Sequence, residues 1–334
     1  MSLPGIKYCP GTLKEGFSTY SSAARRSVFD GRKVSHILPW PAPKGSEETN
    51  EMFMENKKRI SISGVQEKLS LVLDKNKLRL AEQGEHGTHI LKPIPIDLKK
   101  VDQIPANEHL TMQIAAQVFG INTAPNALIF FEDGEPAYIT KRFDVKPEGG
   151  KWGKEDFASL AGKTAQRDNP DFKYDYDYTK LGKLIQKHIP AWRVEIEKYF
   201  IQVVFNYLFS NGDAHLKNFA ALETQNGDYL LSPAYDLIDT RIHVDDTNFA
   251  LNGGLIGEDL RSTGYRRTGN PEHADFISFG KAIGVSEKRI EKLLAPFCER
   301  QDMVEVLVSH SYLSEPTKRG YLLHYNTRRD QLSK

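Results

Sequence analysis

One run, FNYLFSNGDAHLKNF at residues 205–219, limits what this chain can fold into more than anything else in it. Phe200, Val203, Val204, Tyr207 and Leu208 recur at helical spacing and predict a helix over 194–210. Asn211-Gly212-Asp213 is turn chemistry, so the helix ends there. The turn then crowds Asp213, His215, Lys217 and Asn218 together. A carboxylate and a carboxamide offered at the end of a buried helix need an opposing surface. At 334 residues the chain is long enough for about two domains, or two lobes that share a cleft.

The order of the other elements supplies that surface. Residues 1–58 read as an irregular extension with one short helix at 22–29, and PWPAPKGSEETN (39–50) reads as a mobile linker. Leu69, Leu71 and Leu73 alternate over 68–74, and a polar turn at 74–77 leads to 78–80, a hairpin. A strand at 89–92 is stopped by Pro93. An amphipathic helix over 107–119 carries Leu110, Ile114, Val118 and Phe119 on one stripe and ends at Gly120. Strands 127–131 and 137–141 pair across a turn. Residues 146–178 read as a long polar loop, helices follow at 180–188 and 194–210, and short strands at 219–222 and 229–231. The chain is helical from about 271. Hairpin, strand with lysine, helix with glutamate, hairpin, helices, polar loop, hairpin, Asp is the order of a protein-kinase fold. The expectation is an α+β, bilobal fold: a small β-rich lobe over 59–142 and a larger, mostly helical lobe over 143–334.

Phosphoryl transfer needs positioning and positive charge more than covalent help. Asp213 and Asn218 stand five apart, as in the loop H-R-D-x-x-x-x-N, where the Asp accepts a hydroxyl proton and the Asn holds Mg²⁺. Such a pair arises about once by chance in a chain of ordinary composition, so its context carries the weight. Lys92 in HILKP reads as a phosphate ligand; alone, a strand-end surface lysine is the commoner meaning. Glu108 reads either as its ion-pair partner or as an acid favoured in a first helical turn. Asp213 reads as general base and as a turn residue, which are compatible. His215 and Lys217 order the loop or touch phosphate. Asp236 in SPAYDL stands where a second Mg²⁺ ligand belongs, although Leu237 and Ile238 follow it instead of Phe-Gly, and helix capping is the alternative. SISGVQEKLSL (61–71) has a single glycine, yet its amides with the hydroxyls of Ser61 and Ser63 can cradle phosphate.

Other signals exclude rather than include. Net charge is +1, so no global field draws the chain to nucleic acid or membrane. Cys9 and Cys298 make neither a disulfide framework nor a zinc cluster and suit a reducing cytoplasm. No run of about 18 apolar residues spans a bilayer. FISFGKAIGVSEKRIEKLL (276–294) has the outline of a DNA-reading helix pair, although plain packing is the commoner meaning. Arg261, Arg266 and Arg267 read as a solvated loop facing an acidic partner.

Taken together, SISGVQEKLSL, HILKP, NE (107–108), TKRFD (140–144), EDF (155–157), the 206–219 run and SPAYDL resemble the HipA family of bacterial serine/threonine kinase toxins over roughly residues 8–250. The resemblance implies ATP and Mg²⁺ as cofactors, Asp213 as base, Asn218 and Asp236 as metal ligands, and Lys92 on the ATP phosphates. It implies a phosphate loop of Ser61, Ser63, Gly64, Val65, Gln66 and Lys68. It implies a nucleoside site at Lys141, Phe143 and Asp144, with His215 near the nucleotide. Family members silence themselves by phosphorylating a serine of that loop, which points to Ser61 or Ser63. They act on aminoacyl-tRNA synthetases, are bound by an antitoxin of HipB type, and meet DNA only through it. Only some 60 residues precede the loop, which is similar to the compact HipT-type toxin, whose missing part is a separate small HipS-type protein.

Overall fold

The computed structural model describes residues 5–43, 68–96, 98–165 and 167–334. Ser61, Ser63, Gly64, Val65 and Gln66 therefore lie outside the described residues, as does the linker from residue 44 onward. The chain opens with α1 (Ser22–Val28), whose N-cap Ser21 accepts from the Ala24 N–H. Then come β1 (Leu69–Asp74), β2 (Lys77–Leu80), β3 (His89–Lys92), α2 (Ile104–Gln117), β4 (Asn126–Phe130) and β5 (Pro136–Lys141). The five strands form one antiparallel sheet in the order β2-β1-β3-β5-β4.

Alternation along the strands sorts the two faces of this sheet. Leu71, Leu91, Ile129 and Ile139 point to one side, where Cys9, Tyr20, Val28, Phe29 and Leu38 cover them. Leu128 and Tyr138 point to the other side, into the core that α2 shares with the helical lobe. Residues 9–38 are thus half of the first core. They also close the sheet edge: Leu38 N–H donates to Phe130 O and Phe130 N–H to His36 O, both at 2.8 Å. Helix α2 lies between sheet and helices and is buried at every position from Ile104 to Ala115, so its single apolar stripe understates its burial.

The second lobe begins with β6 (Lys154–Asp156) and α3 (Phe157–Leu160), followed by α4 (Tyr178–His188), α5 (Trp192–Leu208), β7 (Ala220–Glu223) and β8 (Tyr229–Leu231). It ends with α6 (Thr263–Thr268), α7 (His273–Ala282), α8 (Glu287–Cys298), α9 (Asp302–His310) and α10 (Glu315–Leu332). Helix α5 is its axis. Phe205 and Phe209 stack at 4.5 Å, and Phe209 stacks on Tyr325 of α10 at 5.3 Å. The expected hairpin β7–β8 gains a third strand, β6, inside the stretch read as loop. The pair α7–α8 buries Phe276, Phe279, Ile290 and Leu294 in the common core, as plain packing requires. The arginine segment is solvated but is not a loop throughout: Arg266 and Arg267 stand exposed on α6, and Arg261, ahead of it, donates to the carbonyls of Gly253 and Ile256. Among the described residues, no helix is long and apolar enough to cross a membrane.

Candidate active site

Strand β3 carries Lys92 to the edge of the cleft between the lobes. Helix α2 starts at Ile104, with Pro105 in its first turn, three residues before the expected start. Glu108 therefore falls beyond the first turn, where the helix dipole has little hold on it. Its carboxylate meets Lys92 instead, Nζ to Oε1 at 2.6 Å. The same ammonium bonds Asp236 Oδ1 at 2.5 Å. One cation so ties the sheet, α2 and a segment of the helical lobe. Side-chain exposures are 6% for Lys92, 3% for Glu108 and 20% for Asp236.

A single positive charge between two carboxylates divides unequally. Burial pushes Glu108 up to about 6 against the pull of Lys92, and the Asp236 charge adds to the push. Burial also opposes ionisation of Asp236, but Lys92 and then Lys68 outweigh it and hold this carboxyl well below the usual range. Lys92 is raised: burial alone would lower it, and Asp236 and Glu108 overcome that. Asp236 sits in the left-handed region, at φ +56, a conformation that costs a non-glycine residue about 1–2 kcal/mol.

The loop after α5 is held by its own amides. Asn211 donates to Asn206 Oδ1 at 2.9 Å and to the Asp236 carbonyl at 3.2 Å, and its Oδ1 accepts from the Asp213 N–H at 3.2 Å. A Cβ on Gly212 would stand 2.4 Å from Asp246 Cγ and 2.7 Å from the Thr247 carbonyl oxygen, so glycine lets the two segments close. Asn218 Nδ2 reaches Asp236 Oδ2 at 3.3 Å, and its Oδ1 accepts from the His215 N–H at 3.0 Å. His215 is buried with Nε2 4.0 Å from Asp213 Oδ1. Burial, then Lys173, pushes its imidazole down to about 3, so it is neutral at pH 7.

Lys92, Asp213, His215, Asn218 and Asp236 thus converge. Phe143 lies beside Tyr235 at 5.7 Å, with the Lys154 ammonium over both rings at 5.4 and 5.1 Å. Asp144 is buried and gripped by the Arg142 fork at 2.9 and 2.5 Å. Lys68, exposed at the foot of β1, acts electrostatically on Asp236 and Glu108. Lys141 does not join them. It shares strand parity with Ala137 and Ile139, so it leaves the sheet on the far face and pairs with Asp30. Sequence reasoning assigned no task to Asn107. Its Nδ2 donates to the Asp239 carbonyl at 2.9 Å and its Oδ1 accepts from the Asp239 N–H at 3.2 Å, locking α2 to the chain after Asp236. Tyr174 and Tyr235 were missed as well; neither stands in a spacing that marks it.

The profile of the HipA-like C-terminal domain matches residues 60–304. A candidate kinase of Haemophilus influenzae is 25% identical over 332 residues, covering 93% of each chain. The serine/threonine-protein kinase toxin HipA of Shewanella oneidensis is 28% identical over 207 residues, 57% of this chain and 46% of the toxin. Among solved structures, one chain of the complex of S. oneidensis HipA, HipB and operator DNA superposes with a TM-score of 0.63 at 19% identity, over 87% of this chain and 72% of that one. The Helicobacter pylori proinflammatory kinase CtkA gives 0.50 at 15% identity, over 79% and 93%. Both likenesses are of fold: the bilobal, kinase-like arrangement of a β-rich lobe on a helical one.

Proposed function

Because this chain belongs to the family of the HipA-like C-terminal domain, we propose that it is an ATP-dependent serine/threonine protein kinase and the toxin of a toxin–antitoxin pair. The observation that carries the reading is the Lys92 ammonium, bonded at once to Glu108 and Asp236 across the cleft. A lysine so held offers its charge to nucleotide phosphates without having to be ordered on binding. Asp213, at the end of α5, accepts the proton of the acceptor hydroxyl. Phe143 and Tyr235 offer aromatic faces to the base of the nucleotide, and the loop 61–68 covers the phosphates.

The residues suit a magnesium ion. Asp236 offers a carboxylate oxygen and Asn218 a carboxamide whose Nδ2 stands 3.3 Å from Asp236 Oδ2, so a turn of that amide would bring its oxygen there, and Mg²⁺ is held by few protein ligands together with substrate phosphates. When bound, the ion would neutralise charge on the transferring phosphoryl group. The Asn218 oxygen now accepts from His215 N–H, so ligation competes with that bond.

By the same reading the acceptor is a protein hydroxyl, in an aminoacyl-tRNA synthetase, and phosphorylation of it stalls translation. Ser61 or Ser63 receives phosphate in self-inactivation, since about two added negative charges beside ATP repel the nucleotide. The paired serines favour the compact HipT-type toxin. An antitoxin of HipB type is the expected partner, with DNA contacted through it; the S. oneidensis neighbour was solved with HipB and operator DNA. The test is transfer of labelled γ-phosphate from ATP to a lysate, with phosphosite mass spectrometry of the products and growth curves on expression. Asp213→Asn and Asp236→Asn should abolish both transfer and growth arrest while circular dichroism is unchanged. Arrest that persists in a transfer-dead variant refutes the toxin mechanism.

A further inference from the structure

Residues 239 and 240, just beyond Asp236, tie three elements together. Asp239 reaches α2 through its backbone, whose carbonyl and N–H meet the Asn107 side chain at 2.9 and 3.2 Å. Thr240 reaches the loop after α5: its N–H and its hydroxyl both donate to the Ser210 carbonyl, at 3.2 and 2.9 Å, and its Oγ1 accepts from the Gly212 N–H at 2.9 Å. Asn107 precedes Glu108, and Gly212 precedes Asp213. The junction therefore joins the glutamate that holds Lys92 to the proposed base. The third element is α10. His324 Nδ1 stands 2.7 Å from Asp239 Oδ2, and Asp239 Oδ1 accepts from the Arg241 N–H at 3.2 Å. The Asp239 side chain is 2% exposed. Burial pushes its carboxyl up, and the bond from His324 is the largest pull against that. Thr240 is buried as well, so bulk water does not replace a partner lost here.

We infer that His324 is a positioning residue for phosphoryl transfer: from α10 it fixes the junction at Asp239 and Thr240, and through it the spacing between Asp213 and the Lys92–Glu108 pair. The inference rests on the kinase reading given above. Without the imidazole the buried carboxylate keeps one printed donor, the Arg241 N–H. It then takes up a proton or turns toward another donor, because an unpaired buried charge is costly. Either change disturbs the turn whose backbone holds Asn107 on one side and, through Thr240, Ser210 and Gly212 on the other. Phosphoryl transfer depends on positioning, and misplacing a reacting group by about 1 Å costs about 10²-fold in rate. His324 thus acts through Asp239 and touches none of the reacting atoms.

The full chain with His324→Gln and with His324→Asn tests this. Asparagine places its amide where Nδ1 now stands and still donates to Asp239; glutamine places it near the position of Nε2 and does not. Steady-state transfer of γ-phosphate from ATP should fall about tenfold in kcat in His324→Gln, with KM for ATP unchanged, and His324→Asn should recover most of that loss. Circular dichroism should be that of the wild type in both. Combining His324→Gln with Asn107→Ala should cost less than the product of the two separate losses in kcat, since both act on Asp239. With an active wild type, a His324→Gln variant of undiminished kcat, equal losses in the two variants, or losses that simply multiply with that of Asn107→Ala overturn the inference and leave the kinase reading intact. A wild type that transfers no phosphate ends both.

Discussion

Two charge clusters with contacts of almost equal length, one within the β-rich lobe and one across the cleft, do different work. Near the end of β2, Arg79 grips both oxygens of Glu85 at 2.7 Å, six residues away in the following loop, with side chains 40% and 31% exposed. In the cleft, Lys92 holds Glu108 at 2.6 Å and Asp236 at 2.5 Å, from 16 and 144 residues away. Water screens the first pair, and its partners would be neighbours in any hairpin. The second is shut away from water, so each charge depends on the others, and the partners meet only if both lobes are in place. Length of contact therefore says little; burial and sequence separation decide what a charge pair does.

The largest effect that would sharpen this contrast belongs to Lys92→Met. It keeps the volume but leaves two buried carboxylates facing each other. We expect phosphate transfer to drop on the order of 10³-fold and stability to fall by about 3 kcal/mol, read from urea midpoints. Stability near that of the wild type would break the comparison. Next is Asn107→Ala, which strands the buried Asp239 N–H and carbonyl and should cost about 1–3 kcal/mol in the same assay.

Glu108→Gln has a smaller effect but a diagnostic one. The folded chain holds the Glu108 proton up to about 6, against an ordinary value of 4.5, so it binds that proton more tightly than the unfolded chain. Its contribution to stability is present below about 4.5 and is lost as pH rises through about 6. Asp236, held low, has the opposite sign: its contribution is present above the usual 3.8 and lost as pH falls from there. Urea midpoints at pH 5 and pH 7 should therefore show a decline in the wild type that shrinks in Glu108→Gln. An undiminished decline would mean that another group titrates in that window. Arg79→Ala is the smallest, with no resolvable shift of the midpoint at physiological salt.

What could be read in advance follows the same division between near and far. The run 205–219, the hairpins and the Lys92 strand are local patterns, and their residues meet over short stretches or along regular periods. Asn107 and Tyr174 are invisible that way, since each is defined by a partner 132 or 39 residues distant. Strand β6 is three residues long and exists because Lys154–Asp156 pairs with residues 220–222. Residues 9–38 read as irregular because their apolar side chains follow the outer face of the sheet and no period of their own. One missed signal was available: Pro105 marks the first turn of α2, and honouring it would have moved Glu108 inward and favoured the ion pair over the dipole.

The hook between Asn107 and Asp239 restricts how this enzyme can be throttled. A kinase whose glutamate-bearing helix swings freely can be disarmed by tilting that helix and pulling the glutamate off its lysine. Here the neighbour of that glutamate is fastened through the Nδ2 and the Oδ1 of its side-chain amide to the chain just beyond Asp236, and Thr111, one turn on, meets the Tyr321 hydroxyl at 2.9 Å. A tilt of the helix would have to break these contacts, so an off-switch that acts on what enters the cleft meets less resistance than one that leans the helix.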